Sequence, residues 1–413
     1  MPDTGLLPEA LFQPADQAGR VVVIGLGYVG RPLALEAAAS GFEVTGFDLD
    51  PAAVAACRGS IRATCRAQDL PPASTWLICV PTPLDAEGRP DLSAVAAALE
   101  TCRAHAPEGA LVCLVSTCQP GATNGLCRRI LERYGREVGR DIFLAVSPER
   151  ENPGDPMGGP RRIRRLLGAP DPVSLARARA FWERVTDRVI TVSAPEVAEC
   201  AKLLENTYRL VNVALMDELH RAFAAFGVAT REVVAAAATK PFGFQPFWPG
   251  LGAGGHCIPV DPAYLQMEAR RAGAASSLLD AALAANRGRP ARVLGAVVQA
   301  MDGRLAGRRI RVAGVTYKPG VADLRGAAPV ALLQGLSACG ADVSWCDPLV
   351  SDVPEDLARW PRAATFAEGA PEAIVLGTPH RDFDLARLAG AAPMVFDPFG
   401  VLPQDPEGRV RVV

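Results

Sequence analysis

Lysine is scarce in this chain. Of its 43 basic residues only three are lysines, Lys202, Lys240 and Lys318, and the others are arginines. A solvated surface can use either residue, so the arginine excess by itself indicates a coding bias. A compact ammonium that gains and loses a proton, however, cannot be replaced by a guanidinium. Because each lysine lies in an unusual local string, we interpret the three as candidate pieces of one functional site.

Other missing features exclude whole classes of protein. No apolar run reaches the about 18 residues that a membrane-spanning helix needs, and the acidic, polar start is not a secretory signal. The net charge of −2 creates no field that would attract nucleic acid or an anionic membrane. The 11 cysteines include no CxxC pair and no zinc-like spacing. We therefore expect no metal site and a reducing, cytoplasmic location.

What the sequence does contain is an alternation of short apolar strands with helices. This pattern occurs at both ends of the 413-residue chain and predicts parallel, doubly wound α/β domains. Between them the sequence is mostly helical, with one long helix predicted from Pro195 to about Phe226. A later helical stretch, ending near Asp302, is expected to break at Gly288-Arg289-Pro290.

A GxGxxG motif directly follows the first predicted strand and opens the first helix. In this context the glycines allow a tight turn and bring a pyrophosphate close to the helix N-terminus. Asp48 ends the second strand, where an acid accepts a hydrogen bond from a ribose 2′-hydroxyl and repels a 2′-phosphate. NAD is therefore favoured over NADP, and a glycine-rich structural turn is the alternative. The predicted cofactor contacts here are Gly25, Gly27, Tyr28, Val29, Gly30 and Asp48.

Cys257 differs from the other cysteines because it lies in a polar, glycine-rich loop. Gly254 and Gly255 permit a ligand to approach the backbone closely, and Asp261 is predicted to start a helix. A thiol in such a loop can attack an aldehyde carbon, while a nearby carboxylate positions water. The alternatives are a packed loop thiol and, for His256, a structural histidine rather than a base.

Lys202 and Asn206 lie four residues apart on the long predicted helix, so both project from the same face. An ammonium and a carboxamide can together stabilise an oxyanion. A solvated Lys–Asn pair on the helix surface is the alternative, and helix geometry alone favours it.

Further candidates follow strands of the first domain. Ligands of open parallel sheets bind at the carboxyl ends of the strands, so polar residues there are candidates for cofactor and substrate contacts. Ordinary turn chemistry is the alternative for each of them. These residues are Pro81, Thr82, Thr117, Glu149 and Arg150.

Together these strings resemble the UDP-glucose/GDP-mannose dehydrogenase family from about Val21 to Val401. The similarity is closest to the branch that oxidises UDP-N-acetylhexosamines, namely the UDP-N-acetylglucosamine 6-dehydrogenases. The strings that carry the resemblance are Val23–Gly30, Val80–Leu84, Ser147–Arg150 with Asn152–Gly154, Lys202–Arg209, Lys240–Phe244 and Gly254–Pro262.

The resemblance implies a reaction and a role for each candidate. It implies a two-step, NAD-dependent oxidation of the sugar C6 hydroxyl to a carboxylate, for surface polysaccharide synthesis. Cys257 would carry the sugar as a thiohemiacetal and then as a thioester. Lys202 and Asn206 would stabilise the oxyanion, and Asp261 would act as a base or position water. The catalytic water is implied to be held by Thr117 and Glu149.

The resemblance also implies binding residues and a domain order. Cofactor contacts would include Pro81, Thr82, Thr117 and Arg325, and a contact between subunits is the alternative for Arg325. Substrate contacts would be Glu149, Arg150, Lys202, Asn206, Phe247, Gly250, Gly254, Gly255 and Lys318. The long helix would form the core of a homodimer. The implied order is a flexible leader at 1–19, a Rossmann-like NAD domain at 20–194, a central helical domain at 195–303 and a C-terminal Rossmann-like α/β domain for the nucleotide sugar at 304–413.

The chain departs from the family pattern in three strings. Gly326-Ala327 replaces a usual Glu-Ser, Arg164–Ala169 replaces a usual Pro-Lys-Val-Val-Gly-Gly, and Pro398–Gly400 replaces a usual Thr-Arg-Asn. The alternatives for the substrate are UDP-glucose, UDP-N-acetylmannosamine and GDP-mannose. A regulator that binds a nucleotide sugar and NAD without catalysis is the remaining alternative, although it would not need a thiol nucleophile.

Overall fold

A computed structural model describes residues 19–151, 159–403 and 407–413. The chain divides after Leu204 into two compact units. The division falls within helix α6, which runs from Pro195 to Ala225 as the sequence predicts. The predicted leader, apart from Gly19, and the Asn152–Gly154 string lie outside the described residues.

The first unit is built on a parallel sheet. The strands of this unit are β1 (Arg20–Ile24), β2 (Glu43–Phe47), β3 (Arg62–Thr64), β4 (Thr75–Ile78), β5 (Leu111–Leu114), β6 (Phe143–Val146), β7 (Arg165–Leu167) and β8 (Val189–Thr191). The sheet order is β3-β2-β1-β4-β5-β6, and β7 pairs separately with β8. This order reverses between β1 and β4, as in dinucleotide-binding folds.

Helices cover both faces of this sheet. Val22 and Ile24 of β1 belong to one apolar cluster, and Val21 and Val23 belong to another. Alternate residues of a strand point to opposite faces, so both faces are buried, as the continuous apolar strands predict. The helices are α1 (Gly30–Ala39), α2 (Pro51–Ala55), α3 (Ser93–His105), a π-helical turn (Thr123–Cys127), α4 (Arg128–Leu131) and α5 (Pro172–Val185).

The second unit contains helices followed by another parallel sheet. The helices are α7 (Thr230–Ala237), α8 (Asp261–Arg271), α9 (Ser277–Ala300), α10 (Ala328–Ala338) and α11 (Leu385–Ala389). The strands are β9 (Arg309–Ala313), β10 (Asp342–Cys346), β11 (Ala373–Leu376), β12 (Met394–Asp397) and β13 (Val410–Val412). Their order is β10-β9-β11-β12-β13, which reverses between β9 and β11. The predicted α/β architecture is therefore confirmed.

The predicted break near Pro290 is wrong, because α9 continues through this residue. A proline removes the N–H that would bond to the carbonyl of residue 286, at a cost of about 3 kcal/mol. The Arg292 guanidinium donates to the Ala285 carbonyl, seven residues earlier, at 2.6 Å, which adds a bond across the turns on either side of the proline. Beyond the proline, Val293 and Val297 are buried in the core of the second unit. Tertiary packing therefore overrides the helix-breaking signal.

Two further properties concern the described residues as a whole. None of their helices combines the length and apolarity that crossing a membrane requires. They also contain no group of three His, Cys, Asp or Glu side chains placed to hold a metal ion.

Candidate active site

The glycine motif forms the turn between β1 and α1. A Cβ atom on Gly25, whose φ is +91°, would lie 2.5 Å from the Cys79 carbonyl oxygen. A Cβ atom on Gly30 would lie 1.8 Å from the Gly25 carbonyl oxygen. At Gly27, in contrast, a Cβ atom would meet nothing within 4 Å. Close chain packing therefore requires Gly25 and Gly30, and Gly27 leaves the backbone open to a pyrophosphate.

The N-terminus of α1 and Asp48 complete this turn. The N-cap residue of α1, Val29, makes no side-chain capping bond. The Asp48 carboxylate accepts from the Leu26 N–H at 2.7 Å and from the Asp50 N–H at 2.9 Å. Each carboxylate oxygen retains acceptor capacity for a ribose hydroxyl, and the exposed first turn suits a phosphate. These residues fit NAD.

The ends of β4 and β5 lie beside the point where the strand order reverses. The Ser116 hydroxyl donates to the Val80 carbonyl oxygen at 2.7 Å, which joins the two strand ends. Pro81 is exposed, and Thr82 and Thr117 are half-buried. The structure therefore places these three candidates in the loops that follow β4 and β5, where a cofactor is expected.

Glu149 follows β6 and is buried. It forms an ion pair with Arg165, whose side chain is also buried. Its Oε1 accepts from the backbone N–H groups of Arg150 at 2.6 Å and Glu151 at 2.7 Å. The Arg165 guanidinium lies 4.5 Å from the centre of the Trp182 ring. These contacts order the loop after β6, so Glu149 has a structural task besides the predicted one.

Glu151 lies next to this ion pair. Burial and the neighbouring Glu149 carboxylate raise its pKa to about 7, although Arg165 acts in the opposite direction. Its Oε1 atom has no hydrogen-bond partner among the described residues. The loop after β6 therefore carries a carboxyl group that titrates near neutral pH.

Helix α6 holds the loop that follows Thr117. The buried Glu199 carboxylate accepts from the Gly121 N–H at 2.6 Å, the Thr123 N–H at 2.9 Å and the Thr123 hydroxyl at 2.6 Å. Burial raises the pKa of Glu199. Three residues farther along, the Lys202 side chain is only 7% exposed. A solvated surface lysine is therefore excluded.

In the second unit, the structure brings Asn206, Cys257 and Asp261 together. Asp261 is the first residue of α8, as predicted, and is only 3% exposed. Its Oδ2 accepts from the Asn206 Nδ2 at 2.5 Å, and its N–H donates to the Cys257 carbonyl at 2.9 Å. The carboxylate thus lies one helical turn from a half-buried thiol and is held by a carboxamide.

Gly254 and Gly255 pack against the chain itself. A Cβ atom on Gly254 would lie 2.7 Å from the Gly326 carbonyl oxygen, and one on Gly255 would lie 3.0 Å from the Tyr317 ring. The Gly255 N–H also donates to the Arg325 carbonyl at 3.0 Å. The chain's own packing therefore explains both glycines without a ligand. It also explains Gly326, whose positive φ of +58° disfavours the glutamate usual in the family.

The remaining substrate candidates of the loop are Phe247 and Gly250. Phe247 is half-buried and makes an edge contact with Tyr208, with 5.8 Å between ring centres. A Cβ atom on Gly250 would lie 3.2 Å from the Phe399 ring. A cavity of about 700 Å³ borders the loop, and its lining includes Gly252, Ala253, Asn286, Arg325 and Ala327.

The other two lysines have different environments. Lys240 is exposed, and its Nζ lies 4.8 Å from the centre of the Phe242 ring. Lys318 follows β9 and is half-buried. Its carbonyl accepts from the Thr316 hydroxyl at 3.2 Å. Arg325, in the same connection, forms an ion pair with Asp323.

A buried histidine–aspartate pair supports the Lys318 loop, and sequence reasoning missed it. His380 Nε2 lies 3.0 Å from Asp347 Oδ2, and His380 Nδ1 accepts from the Gly320 N–H at 3.4 Å. Although burial opposes it, the His380 hydrogen bond helps to lower the pKa of Asp347. The chain has four histidines, so rarity, the signal used for lysine, could have identified His380.

Comparison with known proteins agrees with this architecture. The chain matches three domains of the UDP-glucose/GDP-mannose dehydrogenase family: the NAD binding domain over residues 58–186, the central domain over 196–288 and the UDP binding domain over 311–404. These domains follow the order that the sequence predicts.

Individual relatives span nearly the whole chain. A UDP-N-acetyl-D-glucosamine 6-dehydrogenase of Pseudomonas aeruginosa is 33% identical, covering 94% of this chain and 98% of its own. A UDP-N-acetyl-D-mannosamine dehydrogenase of Pyrococcus horikoshii is 30% identical, with 88% and 90% covered. The solved structure of the UDP-D-ManNAc dehydrogenase from Pyrococcus horikoshii superposes with a TM-score of 0.83 at 27% identity, covering 95% and 98%. The chain therefore belongs to the UDP-glucose/GDP-mannose dehydrogenase family and is an NAD-dependent nucleotide-sugar 6-dehydrogenase.

Proposed function

We propose that this enzyme oxidises the C6 hydroxyl of UDP-N-acetylglucosamine to a carboxylate through a thioester on Cys257. The observation that carries the proposal is the contact between Asn206 and the Asp261 carboxylate, one helical turn from the Cys257 thiol. The full-length similarity to the Pseudomonas aeruginosa relative supports the choice of sugar. NAD, when bound, supplies the hydride acceptor for both oxidations.

In the proposed mechanism Cys257 acts on the aldehyde that the first oxidation produces. The thiolate forms a bond to C6, and the carbonyl electron pair moves onto oxygen. Lys202 and the Asn206 carboxamide stabilise that oxyanion by donated hydrogen bonds. An ammonium at 202 can also return a proton to it, which an arginine could not do. Loss of the second hydride converts the thiohemiacetal into a thioester.

Hydrolysis of the thioester completes the proposed reaction. A water molecule adds to the thioester carbon, the C–S bond breaks, and the thiolate of Cys257 leaves. Asp261 accepts the proton of this water or positions it, because its carboxylate is fixed by Asn206. Thr117 and Glu149 are proposed to hold the same water. The product is the uronic acid, a precursor for surface polysaccharide.

We also propose residues that bind the cofactor and the nucleotide sugar. We assign the cofactor to Gly25, Gly27, Tyr28, Val29, Gly30, Asp48, Pro81, Thr82, Thr117 and Arg325. We assign the nucleotide sugar to Glu149, Arg150, Lys202, Asn206, Phe247, Gly250, Gly254, Gly255 and Lys318. The cavity of about 700 Å³ beside the loop that contains Gly250 is of a size typical of small-molecule sites.

A second candidate substrate is UDP-N-acetylmannosamine. The similarity to the UDP-D-ManNAc dehydrogenase structure from Pyrococcus horikoshii favours it, because that likeness covers 95% of this chain. The two sugars differ only in the configuration at C2, far from the reacting C6, so the catalytic residues would serve either substrate.

We also propose a cytoplasmic homodimer formed through α6. Exposed apolar side chains recur along this helix with spacings of seven, four and seven residues: Val197, Leu204, Tyr208 and Leu215. This spacing places them in one stripe, which is typical of a helix that packs against a partner. The stripe suits a second copy of the helix. The proposed domain limits remain 20–194, 195–303 and 304–413.

The proposed function is tested by NADH release with four nucleotide sugars: UDP-N-acetylglucosamine, UDP-N-acetylmannosamine, UDP-glucose and GDP-mannose. The highest kcat/KM is expected for the first. Cys257→Ser should abolish uronate formation, whereas Cys200→Ser, at an exposed cysteine on α6, should not change it. Undiminished uronate formation by Cys257→Ser would refute the mechanism, and a preference for another sugar would refute the substrate.

A further inference from the structure

Buried side chains hold the first half of the loop that leads to Cys257. These side chains come from α6 and α9 within the second unit, and none of them belongs to the catalytic string that the sequence identifies. They contact Gly250 and Ala253, seven and four residues before the thiol. Their number and geometry indicate a task beyond ordinary packing.

Two side chains of opposite charge form hydrogen bonds with the backbone of Gly250. Its N–H donates to Oδ1 of the fully buried Asp217 at 3.0 Å. Its carbonyl accepts from Nε of Arg289, which is 1% exposed, at 2.8 Å. The two charged groups lie 3.7 Å apart, and Arg289 Nη2 also donates to the Val413 oxygen at 2.9 Å. Both polar backbone groups of one loop residue are thus bound by a buried ion pair.

Asn286 binds Ala253 in the same two-sided manner. Its Oδ1 accepts from the Ala253 N–H at 2.7 Å, and its Nδ2 donates to the Ala253 carbonyl at 3.0 Å. Asn286 and Arg289 are three residues apart on α9, so they project from the same face. Gly250 and Ala253 are also three residues apart. On α9, Arg289 therefore binds Gly250 and Asn286 binds Ala253, and these two contacts fix the course of the loop.

This arrangement is costly to bury, which argues for a function. Burial raises the pKa of Asp217 to about 6, although Arg289 and Arg292 oppose the shift. Asp217 Oδ2 has no hydrogen-bond partner among the described residues. An apolar core of the same volume would often be as stable as a buried ion pair. Stability alone therefore does not explain why charged residues hold this loop.

We propose that Asp217, Asn286 and Arg289 are positioning residues that fix the loop from Gly250 to Cys257. By holding the loop before substrate arrives, they align the thiol and the backbone contacts of the nucleotide sugar. A reacting group misplaced by about 1 Å can lower a rate about 100-fold. The catalytic part of this inference rests on the proposed function, but the holding of the loop does not.

The test combines amide hydrogen exchange with steady-state kinetics on full-length Asn286→Ala. This variant loses both bonds to Ala253. Exchange of the Ala253 amide should accelerate about 10-fold or more, since the acceptor of its hydrogen bond is removed. The kcat/KM for the nucleotide sugar should fall about 10- to 100-fold. The KM for NAD should change by less than kcat/KM does, because all the assigned cofactor contacts except Arg325 lie in the first unit.

Two further variants separate positioning from general damage. Gln299→Ala removes an exposed amide side chain from the same helix and should change neither exchange nor kinetics. Asn286→Asp keeps the acceptor for the Ala253 N–H but removes the donor, so exchange at 253 should stay slow while kcat/KM falls. This conservative variant provides the kinetic test if Asn286→Ala does not fold.

The outcomes are distinguishable. Unchanged exchange at Ala253 in Asn286→Ala would overturn the inference, and so would faster exchange with undiminished kcat/KM. A rise in the KM for NAD as large as the fall in kcat/KM would also overturn it, because that result indicates general unfolding rather than local positioning. If the unaltered enzyme oxidised none of the four nucleotide sugars, the proposed function would fail, while the exchange comparison would still decide whether Asn286 holds the loop.

Discussion

Replacing Asn206 with aspartate should set two carboxylates against each other at the candidate active site. Asn206 Nδ2 donates to Asp261 Oδ2 at 2.5 Å, and Asp261 is only 3% exposed. In Asn206→Asp the donor becomes an acceptor of like charge. A hydrogen bond to a charged group contributes about 1.5–3 kcal/mol, and two like charges 4 Å apart repel by about 4 kcal/mol at an effective dielectric constant of 20.

The size of the loss should depend on pH. Two adjacent carboxylates avoid repulsion by sharing a proton, which raises the pKa of the pair in the folded protein above its value in the unfolded chain. Stability from such a pair is present at low pH and is lost as the pH rises through the raised pKa. We expect Asn206→Asp to lower the free energy of unfolding by about 3 kcal/mol at pH 8 and by less at pH 5.

The double variant Asn206→Asp/Asp261→Asn is the matched control. It restores one carboxylate and one carboxamide, but it moves the carboxylate from α8 to α6. Urea denaturation should show stability recovered to within about 1 kcal/mol of the unaltered protein, while NADH release stays low because the proton acceptor is displaced. Recovery of full activity by the double variant would refute a specific role for Asp261. A pH-independent loss in the single variant would refute the contact itself.

Three further predictions concern the cofactor, pH and assembly. Asp48→Asn keeps the acceptor for the Leu26 N–H but removes the charge, so the ratio of kcat/KM for NAD to that for NADP should fall about tenfold; an unchanged ratio would contradict the role of this carboxylate. The raised pKa of Glu151, about 7, means that its stabilising contribution is complete at low pH and is lost as the pH rises through 7. The free energy of unfolding of Glu151→Gln, measured relative to the unaltered protein, should therefore be higher at pH 8 than at pH 5, by about 1 kcal/mol after allowance for the partial exposure of this side chain. The control Glu108→Gln, at an exposed glutamate, should show no such increase. Leu215→Glu, on the exposed stripe of α6, should give monomers in sedimentation experiments, and Arg209→Glu, on another side of the helix, should not; a dimer that persists in Leu215→Glu would count against the proposed interface.

Much of the fold follows from local sequence patterns. The glycine motif, the apolar strands and the proline at the start of α6 predict their elements directly, because these signals depend on neighbouring residues. Pro290 shows where local signals fail. Its conformational cost is offset by Arg292 and by packing around Val293, neither of which a helix-breaking rule includes. The strand β7 has only three residues, too few to show a periodic pattern from which it could be predicted.

In the candidate site, too, local sequence patterns predict some of the residues and do not predict others. Cys257 and Asp261 lie in one continuous string, and Lys202 and Asn206 share a helix face, so spacing alone relates each pair. The residues that support these groups are distant in sequence. Arg165 reaches Glu149, and Asn286 reaches Ala253, 33 residues away. Such contacts depend on the tertiary fold, which local patterns do not encode.

The sequence correctly indicates that the positions beside Cys257 need small residues, but the structure gives a different reason for this need. The sequence suggests that Gly254 and Gly255 admit a ligand, but the closest atoms to their Cβ positions belong to Gly326 and Tyr317. The small residues are needed because two segments of the chain cross there. Sequence identifies the requirement for a small residue, and only the structure identifies the neighbour.

The central claim is a four-electron oxidation, and the molar yield of NADH tests it most directly. With UDP-N-acetylglucosamine limiting and NAD in excess, the reaction should release two NADH for each sugar consumed and end in the uronic acid. One NADH for each sugar, with an aldehyde as the product, would contradict the account, because the Cys257 thioester would then have no role.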